Sequence, residues 1–249
     1  WPKNCRWPAR SRDTGPAGAL SAPCIGEQIF VNNDVPLARP RAVLFDWDNT
    51  LVDTWDTIHD AMNTTLIAMG HGTWTIAETH QRVRKALREA FPVLFGEEWE
   101  KARDIFYGRF KEIHLETLAT MPGSEELLRE LLDKGIFLGV VSNKSGDHLR
   151  SEVAYLGWDR YFINLVGATD AERDKPAIDP VLMALQGSGL SPGPEVWFIG
   201  DTIIDMECAR VANCTAILIR ETPPGWEEFG RFYPQTHLPD CNELCALVR

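Results

Sequence analysis

No stretch of this chain holds the roughly 18 to 20 consecutive apolar residues that a membrane-spanning helix requires, so no part of it reads as a membrane segment. Tight CxxC pairs are missing as well. The six cysteines (Cys5, Cys24, Cys208, Cys214, Cys241 and Cys245) have no histidines at zinc-finger spacing, which argues against a zinc module. Cys208 and Cys214 sit in apolar surroundings, where a reduced thiol serves as a small hydrophobe, and this usage points to a reducing, cytoplasmic compartment. Positive charge is scarce: 25 Lys and Arg stand against 36 Asp and Glu, a net charge of -11. Residues 1–40 carry five basic and three acidic side chains, leaving -13 for residues 41–249. An acidic body of this kind repels nucleic acid and anionic lipid, so a phosphate it handles is expected to be small and held locally or by a metal.

Residues 1–40 are rich in Pro, Gly, Ala and Arg without helical or strand periodicity, and are expected to be a disordered extension. They lack the apolar core of a secretory signal and the amphipathic helix of a transit peptide. The chain does not begin with Met, and a fragment end or gene-model extension suits this stretch better than a targeting segment.

From Arg41 the character changes. Ala42-Val43-Leu44-Phe45 is a short apolar run ending in a carboxylate, as a buried parallel strand would be at a sheet's C-terminal edge. A helix follows later, capped by Ser124, with Leu127, Leu128, Leu131 and Leu132 as its apolar face and Gly135 as its stop; it feeds a strand over 136–141. Further strands are predicted near 165–166, 195–199 and 216–219, with helices over about 147–156, from Asp179-Pro180, over 205–212 and over 242–248. The alternation predicts an α/β fold, a Rossmann-like parallel sheet with helices on both faces. Residues 54–120 break it with three helical segments (55–69, 76–90, 97–118) and no convincing strand. The expected organisation is therefore an α/β core of residues 41–53 and 121–249, with 54–120 as an inserted helical cap. Ligands of open α/β sheets bind beyond the strand C-termini, where such an insert would form a lid.

Asp46-Trp47-Asp48-Asn49-Thr50 follows the first strand, and the spacing of two lets both carboxylates face the same side of an extended chain. Two acids in one small space repel unless a cation lies between them. Gly200-Asp201-Thr202-Ile203-Ile204-Asp205 brings a second pair to the same edge, and four convergent carboxylates call for a hard cation such as Mg²⁺. Ser142-Asn143, just past the second strand, can hold phosphoryl oxygens, and Lys175-Pro176 places a cation on a stiffened loop.

These elements, in this order and each at a strand end, resemble the haloacid dehalogenase superfamily over nearly all of residues 41–220. The carriers are Asp46-x-Asp48-x-Thr50, Ser142, Lys175-Pro176 and Gly200-Asp201-x-x-x-Asp205. The insert after Asp53 looks like the type I cap, and the run from Pro122-Gly123 to Gly200 is similar to phosphoglycolate phosphatases. The chain departs from the family at Asn49, where Gly is usual but Asn also tolerates a left-handed conformation, and at Trp47, bulkier than the common Phe and able to alter substrate shape.

The resemblance implies a Mg²⁺-dependent phosphatase of small phosphate monoesters acting through a phospho-aspartate. Asp46 would be nucleophile and metal ligand. Asp48 would ligate the metal through its backbone carbonyl and act as acid and base through its side chain. Asp201 would complete the metal's protein ligands with Asp205 in support, while Ser142, Asn143, Lys175 and Thr50 would bind the phosphoryl group. Dehalogenating members use no metal and do not need the acid at Asp48. A β-phosphoglucomutase-like phosphomutase shares all these features and is the alternative. A silent relative that only binds is expected to show decay of the acid set, which is intact here. Arg82, Arg84, Lys85 and Arg88 are the cap residues that could meet a substrate carboxylate, although on a charged helix they also read as a solvated face.

Overall fold

The structure, a computed structural model, describes residues 37–83 and 87–248, without the side chains of residues 87–89. In chain order, β1 (Ala42–Phe45) and β2 (Val52–Asp53) precede a helical insert formed by α1 (Trp55–Ala68), α2 (Ile76–Arg82), α3 (Leu87–Phe95) and α4 (Trp99–Ile113). Then come β3 (Ala119–Thr120), α5 (Ser124–Asp133), β4 (Phe137–Ser145), α6 (Gly146–Leu156), β5 (Asn164–Ala168), α7 (Asp179–Ala184), β6 (Val196–Gly200), α8 (Ile203–Val211) and β7 (Thr215–Ile219). The chain closes with α9 (Trp226–Phe229), β8 (Thr236–Leu238) and α10 (Cys241–Val248).

Six strands form one parallel sheet in the order β5-β4-β1-β6-β7-β8. β1 shows why both faces must be covered. Successive side chains of a strand point to opposite faces, and Val43 and Phe45 enter one core while Ala42 and Leu44 enter another. The first core is completed by Leu127, Leu128 and Leu131 of α5, Leu149 and Val153 of α6, and Leu244 of α10. The second is completed by Val181 and Ala184 of α7 and by Met206, Cys208 and Ala209 of α8. The four described cysteines are buried and make no disulfide, and burial pushes the Cys208 thiol up to about 12. No described helix is long and apolar enough to cross a membrane.

The insert has a core of its own, built from Met62 and Leu66 of α1, Phe91 of α3 and Phe106 and Phe110 of α4. The expected segment 76–90 is two helices, α2 and α3; residues 84–86, Arg84 and Lys85 among them, lie outside the described residues. Several short elements escaped the sequence reading, among them three strands and α9. β2 and β3 pair antiparallel where the chain enters and leaves the insert, and β8 adds a sixth strand beyond β7. Two-residue and three-residue strands are too short to show a period. Ser124 opens α5, but the capping position belongs to Gly123, at φ 80°.

The order of the sheet reverses direction at β1, so the crevice for a ligand lies past the ends of β1, β4 and β6. After β1 the chain turns tightly: Trp47 O accepts from Leu51 N (3.0 Å) and Val52 N (3.2 Å), and Asn49 takes φ 58°. Asn49 Oδ1 accepts from Thr54 N at 3.3 Å, tying this turn to the start of α1. Replacing Asn49 by Ala keeps the positive φ but removes the residue that tolerates it, a strain of about 1–2 kcal/mol. For a domain of this size that lowers Tm by about 2–8 °C, with Asn49→Gly falling between variant and parent. Equal melting of parent and Asn49→Ala in thermal denaturation would show the turn to be unstrained.

Candidate active site

The sheet carries three chemical groups to one edge. Asp46 directly follows β1, with its N–H donating to Ile199 O of β6 at 2.8 Å. Asp201 directly follows β6. Ser142 lies inside β4, where pairing with β5 is irregular between Val141 and Ser145; such bulges re-aim side chains beside functional sites. Asp205 reaches the group from the first turn of α8. Its Oδ2 accepts from Thr202 N (3.0 Å) and Thr202 Oγ1 (2.6 Å), leaving Oδ1 free to face inward. Gly200 is glycine for a visible reason, since a Cβ there would collide with the Asp205 side chain.

Oxygen atoms of Asp46, Asp201 and Asp205 all lie within 4.8 Å of one another. Lys175 stands among them, its Nζ 2.8 Å from Asp46 Oδ1 and 2.7 Å from Asp205 Oδ1. The lysine is held from behind: Asn143 Oδ1 accepts from Lys175 N (3.1 Å) and Asn143 Nδ2 donates to Lys175 O (3.2 Å). Burial, which outweighs the attraction of Lys175, raises the carboxyl of Asp46 to about 6. Asp201 is raised well above the ordinary range by burial and by Asp205 and Asp46. Burial works against the charge of Lys175, but Asp205 and Asp46 outweigh it and hold the ammonium above the usual lysine range.

Three carboxylates facing one ammonium leave two negative charges uncompensated, and a divalent cation is what such a group fits. A cavity of about 350 Å³ opens above it, bordered on one side by Asp46, Ser142 and Lys175 and on the other by Ile58, Phe106 and Phe110 of the insert.

Several sequence expectations need correction. Three carboxylates converge, not four, because the Asp48 carboxylate lies outside the cluster and places Oδ1 2.7 Å from Lys144 Nζ. Asp205 is a full member of the cluster. Asn143 borders the cavity, but both ends of its amide are engaged by the backbone of Lys175, so it places the lysine. Thr50 is fully buried and does not border the cavity, since the turn after Asn49 carries it inward. Trp47 points into the core against Trp158 and Phe162 and leaves substrate space untouched. Arg82 pairs with Glu78 and covers the Trp74 ring, away from the cavity. Arg84, Lys85 and the side chain of Arg88 lie outside the described residues.

Sequence reasoning also missed Lys144, Glu152 and His114. Lys144 Nζ lies 2.8 Å and 2.6 Å from the two oxygens of Glu152, which also accepts from Trp47 Nε1 (2.6 Å) and meets His114 Nδ1 (2.7 Å). One signal was present: Glu152 lies three residues after Leu149 and one before Val153, on the apolar face of its helix.

Residues 43–219 match the family of haloacid dehalogenase-like hydrolases. A phosphoglycolate phosphatase of Photorhabdus laumondii is 28% identical over 186 residues, covering 71% of this chain and 79% of that protein. A candidate pyrophosphatase of Clostridium perfringens is 26% identical over 208 residues, covering 84% and 97%. Among solved structures, a hydrolase of this superfamily from Ehrlichia chaffeensis is 28% identical with a TM-score of 0.58, covering 86% of this chain and 98% of that one. With the family's model matched over residues 43–219, and with Asp46, Asp201, Asp205 and Lys175 gathered at one sheet edge, the chain belongs to the haloacid dehalogenase-like hydrolases and is an enzyme similar to phosphoglycolate phosphatases.

Proposed function

We propose that the protein hydrolyses small phosphate monoesters, of which phosphoglycolate is the leading candidate, through a phospho-aspartate on Asp46, with Mg²⁺ as the metal. The observation that carries this reading is the position of Asp46: buried at the cavity floor, with one oxygen held 2.8 Å from Lys175, inside a group of carboxylates that lacks two positive charges. The small cavity suits a small monoester.

Asp46, Asp201 and Asp205, with the backbone carbonyl of Asp48, would hold the ion. Bound there, a divalent cation would offset negative charge on the phosphoryl oxygens and so make the phosphorus a better electrophile. The free oxygen of Asp46 forms a bond to phosphorus as the bond to the leaving oxygen breaks. Asp48 gives its proton to that leaving oxygen, then takes one from the water that attacks the phospho-aspartate and frees phosphate. Ser142 and the remaining N–H of Lys175 hold phosphoryl oxygens, so charge in the transition state meets donors already in place. Helices α1 and α4 form the roof, and residues 54–120 serve as the lid. Buried thiols without a disulfide among the described residues support a reducing, cytoplasmic setting.

The test is phosphate release from phosphoglycolate and a panel of small monoesters, with and without Mg²⁺. Turnover that depends on Mg²⁺ is expected; sugar-phosphate isomerisation without phosphate release would make the protein a mutase instead. Asp46→Asn, similar in shape but a poor nucleophile and ligand, is expected to bring turnover to less than a tenth of the parent's without loss of folding. Asp48→Asn is expected to lower kcat/KM for alkyl phosphates by about 10²–10³ and for p-nitrophenyl phosphate far less, because nitrophenolate leaves without a proton. Equal losses would remove the acid role.

The pH dependence of metal binding follows from Asp46. Its carboxyl is raised to about 6, above its ordinary 3.8, so the folded chain keeps this proton longer than the unfolded chain. Without a cation, this group therefore weakens stability as pH rises from about 4 to 6. A cation that binds the ionised form offsets the loss, so Mg²⁺ should raise Tm at pH 7.5 and do so less at pH 5. The same Tm increment at both pH values would count against a metal bound by Asp46.

A further inference from the structure

A second buried ionic group lies beside the cavity, and none of the motif positions named above belongs to it. Its centre is Glu152, fully buried on α6. A carboxylate so far from water persists only when its oxygens are covered by donors. Here each oxygen meets two: Oε1 takes Lys144 Nζ and His114 Nδ1, and Oε2 takes Lys144 Nζ and Trp47 Nε1. An ionised carboxylate has about four acceptor positions, so Glu152 is saturated.

Those donors come from three places that matter to the site. Trp47 stands between Asp46 and Asp48 in the turn after β1. Lys144 follows Ser142-Asn143 in β4. His114 is the residue that ends α4, where the chain leaves the insert. One carboxylate thus ties together the loop of the two aspartates, the strand of the phosphate-binding serine and the base of the roof.

Lys144 also decides where the Asp48 carboxyl lies. Oδ1 of Asp48 is buried with no hydrogen bond of its own, and its close charged contact is Lys144 Nζ at 2.7 Å. The side chain of Asp48 is 26% exposed, so its solvent-facing surface lies away from Oδ1, and the residue borders the cavity. Lys144 is not spare for binding substrate. Glu152 engages it twice and Asp48 occupies its remaining side.

We propose that Glu152 is a positioning residue for Asp48: by holding Lys144 with both oxygens it sets how the Asp48 carboxyl, paired with the same ammonium, faces the leaving-group oxygen. The proposal rests on Asp48 being the acid and base, as read above. A buried cluster that only supported the fold would affect all substrates alike.

The experiment compares kcat/KM, which covers the steps up to phosphoryl transfer, for p-nitrophenyl phosphate and for the best alkyl monoester of the panel. The variants are Asp48→Asn, Glu152→Gln and the two combined. For Glu152→Gln the expected loss is at least tenfold larger for the alkyl than for the aryl substrate. Added to Asp48→Asn, it should change either rate by less than twofold more, because the group it positions is gone. An equal loss on both substrates, or losses that multiply in the combined variant, would overturn the proposal. Asp48→Asn alone separates the two layers: if it shows no dependence on leaving group, the acid role fails and the proposal with it; if it shows one and Glu152→Gln does not, only the proposal fails. Should Glu152→Gln not fold, Lys144→Met/Glu152→Gln removes both charges together and carries the same expectation. A folded double variant with the parent's leaving-group preference would overturn it equally.

Discussion

Carboxylates packed at one sheet edge, largely out of water, can remain together only if positive charge stands among them, and the Lys175 ammonium between Asp46 and Asp205 supplies the first of it. The rest of the site serves this contact. Asn143 grips the backbone of Lys175 on both sides, Gly200 leaves room for Asp205, and the Thr202 cap turns Asp205 so that one oxygen faces the lysine. The charge still missing is the reason a divalent cation belongs there, and the raised carboxyls of Asp46 and Asp201 show how strongly burial penalises the group without one.

The fold supplies this edge by simple means. β1 sits in the middle of the sheet and sends alternate side chains to two separate cores, so its direction is fixed by packing on both faces. Its last residue before the turn is therefore a stable place from which to aim a nucleophile. The irregular pairing of β4 with β5 does the same for Ser142 and Lys144 by a different route, bending the strand where it passes the cavity.

Among the described residues two lysines border the cavity, and their partners give them different work. Lys175 pairs with Asp46 and Asp205, in a cluster that Asp201 completes and that still lacks positive charge. Lys144 faces Asp48 on one side and a saturated Glu152 on the other, and its charge persists against burial because both anions favour it. The imidazole of His148 nearby is lowered by burial and then by His114 and Lys144, which favours a neutral ring beside this second group.

The sequence by itself determined the elements whose signals are local. The apolar run ending at Asp46, the spacing of Asp46 and Asp48, the Gly200-Asp201 turn with Asp205 four residues on, and the leucine face of α5 were legible because short-range chemistry and strand or helix periodicity dictate them. The positive φ of Asn49 was suggested by the resemblance, which has Gly at this position, together with the tolerance of Asn for that conformation. Only the tertiary structure decided which carboxylates meet. It sent Asp48 to Lys144 and Asp205 to Lys175, turned Thr50 and Trp47 into the core, and drew Glu152, His114 and Trp47 together across 105 residues of chain between Trp47 and Glu152. A charge chooses its partner by distance and burial in the folded chain, and neither quantity is written in the spacing of residues along it.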